Sequence, residues 1–580
     1  MGKSFSKIYP QKWVQIAILI GFCIALYFLN LGRWDLWSPD EPRYAQVARE
    51  MVNRGDWILM HYNGKTYEDK PPLFFWLIAF SSFLWQEFSS FSVRFPAAFF
   101  GALTVILTFF IGKTLYSSRT GFLSGLILAT SLEFSYLSTR ANIDTTLTFF
   151  TTASLLCFFE WYRRRPLHPC LLRPRSGPGP AGRLPPFPNE EREGVRDEQI
   201  KHGRGRTLII YGFYIGMALA TLAKGPVGFI LPLTISLVYL VVQKDWISIR
   251  RMRLLSGMVL FAAIVLLWYL PAVFEGGEDY LQATLFRHSI DRYAQGWSKS
   301  QPIYFYLYNF LIDFLPWVFF LPAAVAYGLS REKLEKRGEF LFLFLWFAFI
   351  FIFFSLSKGK RSIYLLPLYP AVSLMVGKLW DDFISTPMDH FRNAWISVPF
   401  YGFMGMALVA GAALPWVLSI KFPSYLPYGL PITFLLVGGS LVMFVLYRFK
   451  NYGAILFLLI GMVTGGYFYT ARVIFPRINL HKSARFMSRE ITTRIQPGEK
   501  LAVYGRISTG PFNYYTGIVP ILDLADMKDL LFVLESSERV FCLLDYRSFS
   551  QFRKMEGRPK VQLISRRMVG DDEIILVSNR

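Results

Sequence analysis

"WVQIAILIGFCIALYFLNLGRWDLWSPDEPRYAQVAREM", residues 13–51, joins two unlike segments. From Trp13 to Leu31 the chain is almost wholly apolar, and about 20 such residues cross the hydrocarbon core of a bilayer. Directly afterwards Asp40 stands beside Glu41, between Pro39 and Pro42, at the start of a highly charged helical pattern. The basic start (Lys3, Lys7, Lys12) and the lack of a small-residue cleavage site mark Trp13–Leu31 as an uncleaved first span rather than a signal peptide.

The whole chain repeats that apolar theme. Of its 580 residues, 53% are hydrophobic and 18% aromatic, the composition of a polytopic α-helical membrane protein. A net charge of +22 would suggest nucleic acid in a soluble protein. Here much of the excess falls in loops, where Lys and Arg set orientation and meet anionic lipid, so nucleic acid is not an expected partner. Cys23, Cys157, Cys170 and Cys542 have neither disulfide-framework nor zinc spacing.

Orientation follows from charge. With a cytoplasmic amino terminus, the first span delivers residues 32–94 to the outer side. The stretch Leu73–Trp85, opened by Pro71 and Pro72, is too short to cross and suits an interfacial helix. Spans at 95–113, 121–138 and 146–162 then bring Arg163, Arg164 and Arg165 into the cytoplasm, as the positive-inside rule requires. Residues 163–206, rich in Pro, Gly and Arg, read as a disordered cytoplasmic insert. Further spans near 207–223, 226–242, 254–272, 303–326, 340–357, 363–379, 396–416, 431–447 and 454–470 make about 13, with an outer loop at 273–302. No inverted repeat is visible, which weighs against a transporter built from two halves.

The membrane domain therefore takes residues 1–475. Residues 476–580 have the composition of a soluble unit, and "KLAVYG", "RVFCLLDY" and "EIILVSN" are strand-like, so a small outward-facing α/β domain is expected. It contains neither a phosphate loop nor a nucleophile elbow.

This topology gathers Asp40, Glu41, Arg43, Tyr44, Tyr67, Lys70, Asp144, Lys224, Arg292, Lys360, Arg361 and Tyr364 on one face. A charged rim on a hydrophobic bundle suits a substrate with a long apolar tail and a charged head. Each residue also has a plainer reading. Ser38 or Asp40 can cap the helix that takes Pro42 in its first turn, Asp144 can cap a span, and Lys70 can snorkel at the interface. One cap does not need two adjacent acids, however, and Arg292 and Arg361 lie outside against the positive-inside trend. Such cations favour a phosphate-bearing ligand. Asp40, Glu41 and Asp144 are therefore candidate catalytic carboxylates, Lys70, Arg292, Arg43 and Arg361 candidate phosphate ligands, and Tyr44, Tyr67 and Tyr364 candidate substrate contacts.

In order along the chain, "DLWSPDEPRYAQVAREM", "YEDKPPLFFWL", "VRFPAAFFGALTV", "ANIDTTLTFF", "LAKGPVGFILP", "FLPWVFFLP" and "SKGKRSIYLLPLYPA" closely resemble the aminoarabinose transferase and bacterial protein-mannosyltransferase-like group of GT-C glycosyltransferases. The resemblance covers nearly the whole chain outside the insert. It implies an inner-membrane enzyme that moves a sugar, with inversion, from a polyprenyl (undecaprenyl) phosphate carrier to a periplasmic acceptor. In the best-known branch that acceptor is lipid A and the sugar 4-amino-4-deoxy-L-arabinose. By motif, Asp40 and Asp144 match the family's loop acids, Lys70 the lysine of its Lys-Pro-Pro motif, and Arg292 the arginine of a later periplasmic loop.

The sequence also departs from that branch. Asp69 stands where Glu is common, His288 is displaced relative to Arg292, and "QGWSKSQP" has no histidine. These differences argue against a bound zinc and leave the sugar open. Two alternatives remain at this point: transfer of a hexose to protein or another surface glycan, and, from a different class, a flippase for lipid-linked sugars.

Overall fold

The computed structural model describes residues 12–164, 189–284, 301–330, 337–385 and 390–580. Arg292, His288, Cys170 and most of the loop 273–302 lie outside the described residues, as does 165–188 of the insert. Residues 189–206, expected to be disordered, instead form the first part of helix α8 (Asn189–Lys224). Their Glu, Arg and Gln content favours helix once the apolar half that follows provides a template.

Eight helices among the described residues are long and apolar enough to span a membrane. The pair Phe305–Asp313 and Trp317–Leu329, bent by 113°, makes a ninth if it is one broken span. The other expected spans are helical as well, but shorter or more polar. The first covers Lys12–Phe28, Val227–Val242 has 16 residues, and the third breaks at Thr130 into α5 (Ser118–Ala129) and α6 (Leu132–Ser138). Helix α7 (Ile143–Arg163) carries five threonines and Asp144 in its first ten residues, which lowers its hydropathy.

Ends expected on one side of the membrane do meet. Lys12 lies over the Phe110 ring, and Arg163 donates to the Thr114 carbonyl. At the opposite end α2 (Asp40–Arg54) packs on α3 (Leu73–Leu84), a 12-residue helix whose Phe80, Phe83 and Leu84 are exposed. Helix α4 (Ser90–Leu115) follows, started by a reciprocal cap between Ser89 and Ser92.

The α/β expectation for the carboxyl-terminal part is met by a five-stranded sheet in the order β4-β3-β5-β7-β6. β3 (Lys500–Tyr504), β5 (Val540–Asp545) and β7 (Asp572–Ser578) are the three segments recognisable in the sequence. β4 (Leu522–Leu524) and β3 are parallel, as are β3 and β5, whereas β7 and β6 (Gln562–Val569) run antiparallel. Apolar clusters cover both faces, around Leu501 and Leu543 on one and Cys542 and Leu544 on the other.

Candidate active site

Helix α2 begins at Asp40 without a side-chain cap, so neither Ser38 nor Asp40 plays the capping part expected from sequence. Glu41 does related work from inside the first turn by accepting the Trp37 N–H at 3.0 Å. Its oxygens also meet Arg94 Nε at 2.7 Å, Arg94 Nη2 at 2.9 Å, Arg140 Nη2 at 2.9 Å and the Ala141 N–H at 2.9 Å. Arg94 spends its remaining donors on the carbonyls of Leu31, Trp34 and Asp35. Burial alone would raise the Glu41 pKa, but Arg140 and Arg94 overturn this and bring it down to about 2. A carboxylate 1% exposed with every lone pair engaged is structural. This corrects the catalytic expectation for Glu41.

Asp40 points elsewhere. Oδ1 pairs with Arg43 Nη2 at 2.7 Å and Oδ2 with Arg361 Nη2 at 2.5 Å, and the side chain stays 18% exposed. Burial favours its neutral form, yet the cations Arg361, Arg43 and Lys70 hold its pKa below the usual carboxylate range. Each guanidinium carries five donors, so the one engaged by Asp40 leaves others for a ligand, and the buried Arg43 Nε has no acceptor.

Lys70 follows the hairpin β1–β2 (His61–Tyr62, Lys65–Thr66) and donates to the Asp69 carboxylate at 3.0 Å. Tyr67 donates to the same carboxylate at 3.4 Å, and its ring meets Phe75 edge-on. Tyr44 packs against Phe74 and Phe75, and both tyrosine hydroxyls lie within the electrostatic reach of Arg43.

Asp144 is not a cap either, because Asn142 takes the Thr145 N–H. Asp144 instead forms a buried ion pair with Lys224, whose ammonium lies 4.2 Å from the centre of the Tyr364 ring. Lys360, grouped by sequence with the outward cations, donates to the carbonyls of Gln301 and Ser357 and holds a loop. The structure thus joins Asp40, Arg43, Lys70 and Arg361 in one cluster and Asp144, Lys224 and Tyr364 in another. Among the described residues no group of three or more His, Cys, Asp or Glu side chains is placed to hold a metal ion.

Sequence reasoning passed over Arg94. Its signal was present, since an arginine inside the apolar "SVRFPAAFF" needs a buried partner.

A helical bundle of this kind joined to a small α/β domain has counterparts among known proteins. Residues 13–169 match the family described as dolichyl-phosphate-mannose-protein mannosyltransferase. The chain superposes on the crystal structure of ArnT from Cupriavidus metallidurans bound to undecaprenyl phosphate with a TM-score of 0.75, at 18% identity and 98% coverage of both chains. An undecaprenyl phosphate-alpha-4-amino-4-deoxy-L-arabinose arabinosyl transferase of Pectobacterium atrosepticum is 29% identical over 71% of this chain. That alignment spans 66% of the relative's own length. An uncharacterised protein of Aquifex aeolicus is 26% identical over 85% of this chain and 84% of its own. The resemblance drawn from the motifs is therefore borne out.

Proposed function

We propose that this protein transfers a sugar, with inversion, from an undecaprenyl-phosphate carrier to a phosphate of lipid A at the periplasmic face of the inner membrane, with 4-amino-4-deoxy-L-arabinose the leading sugar. The observation that carries the reading is the Asp40–Arg43–Arg361 clamp, with Lys70 nearby, at the end of an apolar helical bundle. Departure of a polyprenyl phosphate leaves negative charge on the carrier while the anomeric carbon becomes oxocarbenium-like. Fixed cations at Lys70, Arg43 and Arg361 stabilise that departing charge.

The clamp also bears on the acceptor. A protein hydroxyl needs a base, whereas a phosphate monoester is already a nucleophile at neutral pH. Asp40, held ionised by two arginines, is a weak base and serves better to orient the sugar or the guanidinium groups. This favours the phosphate acceptor over the hydroxyl acceptor implied by the mannosyltransferase match. Asp144, neutralised by Lys224, offers a second polar contact beside the Tyr364 ring.

Purified protein given radiolabelled aminoarabinosyl-phosphoundecaprenol and lipid A is expected to label the lipid A. Asp40→Asn and Lys70→Ala are each expected to lower turnover by about 100-fold or more while inserting normally, as loss of a preorganised electrostatic group does. Near-normal turnover in both variants would remove these roles. A cysteine replacing Ser38 is expected to react with a membrane-impermeant maleimide added to spheroplasts. Labelling only after the inner membrane is opened would reverse the orientation.

A further inference from the structure

The acid-bearing helix α2 and the hairpin that leads to Lys70 are held by residues beyond position 475. Tyr515 accepts the Leu36 N–H at 2.8 Å and donates back to the Leu36 carbonyl at 3.2 Å, four residues before Asp40. Asn479 accepts from the Trp37 indole at 2.8 Å and from the Asp35 N–H at 3.2 Å. Farther along α2, Arg49 donates to the Tyr514 carbonyl at 2.8 Å and covers the Tyr514 ring. The hairpin is fixed by Asn63, whose side-chain oxygen accepts from the Asn513 amide and the Ile521 N–H and whose amide donates to the Ile521 carbonyl.

One of these contacts falls beside the clamp. Thr509 donates to the Tyr62 hydroxyl at 2.9 Å. At Gly510 a Cβ would lie 2.8 Å from the Tyr62 hydroxyl oxygen and 3.1 Å from the Arg43 Cα, so only glycine lets this backbone meet α2 without displacement. Arg43 is one of the two arginines on Asp40, and Tyr62 packs edge-on against Tyr67.

We infer that the carboxyl-terminal domain is a positioning part of the active site, acting through the helix Gly510–Thr516, with Gly510 setting the seat of Arg43 against Asp40. The sheet is the rigid mount and this helix its contact surface. Residues 509–515 touch no reacting group; they act through Arg43, the 36–39 turn and the hairpin. An electrostatic site tolerates little misplacement, since a shift of about 1 Å can cost on the order of 100-fold in rate.

The inference rests on the transfer reading, and its test separates the two. Gly510→Val is expected to lower kcat by about tenfold or more with little change in donor KM, a displacement effect on the reacting geometry. In an Arg43→Ala background the same substitution is expected to cost little more, because the group it displaces is gone. Lys500→Ala, in an exposed pair at the start of β3, is expected to behave as wild type. Full activity in Gly510→Val, or an equal loss with and without Arg43, would overturn the inference.

Hydrogen exchange gives a readout independent of transfer. Exchange over residues 36–44 is expected to quicken in Gly510→Val relative to wild type, and unchanged exchange there would also overturn it. A wild-type protein that transfers no sugar would sink the proposed function and leave the exchange result to decide the positioning claim.

Discussion

Asp40 and Glu41 are neighbours of like chemistry with opposite fates, and their partners explain the difference. Glu41 turns inward to Arg94 and Arg140, while Asp40 turns the other way to Arg43 and Arg361 and stays partly exposed. Because the folded-state pKa of Glu41 is depressed from 4.5 to about 2, its contribution to stability is present above pH 4.5 and is lost as pH falls toward 2. Glu41→Gln is expected to cost on the order of 3–5 kcal/mol at neutral pH, since it leaves two buried arginines without their counter-ion. It should also flatten the acid limb of thermal stability measured in detergent between those two pH values. A variant as stable as wild type at pH 7 would refute the structural role. The sequence shows that two acids open this helix and that one of them is spare. It does not show which, because Arg94 and Arg361 come from distant parts of the chain and only the fold brings them to opposite sides of residue 40.

Helices and strands were legible where their pattern was long and uniform. Apolar runs such as Gly338–Leu356 and Pro423–Arg448 need only length and hydropathy to be recognised. The interior strands β3, β5 and β7 announced themselves through consecutive buried residues, whereas β4 has three residues and β6 is mostly exposed with a register shift, so neither carries a clear period. The break between α5 and α6 falls at Thr130 and Ser131, with Glu133 just beyond, a short polar interruption inside the run read as one span.

Close helix contact is a feature that only the packing reveals. A Cβ on Gly112 would lie 2.6 Å from the Gly121 Cα, and one on Gly121 would lie 2.3 Å from the Phe109 carbonyl oxygen, so α4 and α5 meet backbone to backbone. Gly112→Leu is accordingly expected to overpack this contact at a cost of about 1–3 kcal/mol or more. The check is the melting temperature and the monodisperse yield after solubilisation, and values equal to wild type would contradict the packing.

In the proposed transfer, an apolar helical bundle, a charged cluster at one end and an α/β domain packed against that cluster act as one device for a lipid-borne phosphate. There the bundle takes the tail and the cations the head, while the α/β domain holds Leu36 in the turn that leads into Asp40. The general class was readable from ordered motifs because each combines residues of fixed chemistry at fixed places along the chain. The sugar was not, since ring recognition depends on a few side chains brought together from separate segments, and Arg292 and His288 lie outside the described residues.

The most direct test of the central claim is mass spectrometry of lipid A from cells with the intact gene, from cells without it, and from cells expressing Asp40→Asn. An aminopentose on a lipid A phosphate is expected only when the intact protein is present. Identical lipid A in all three, or a sugar found on protein instead, would contradict it.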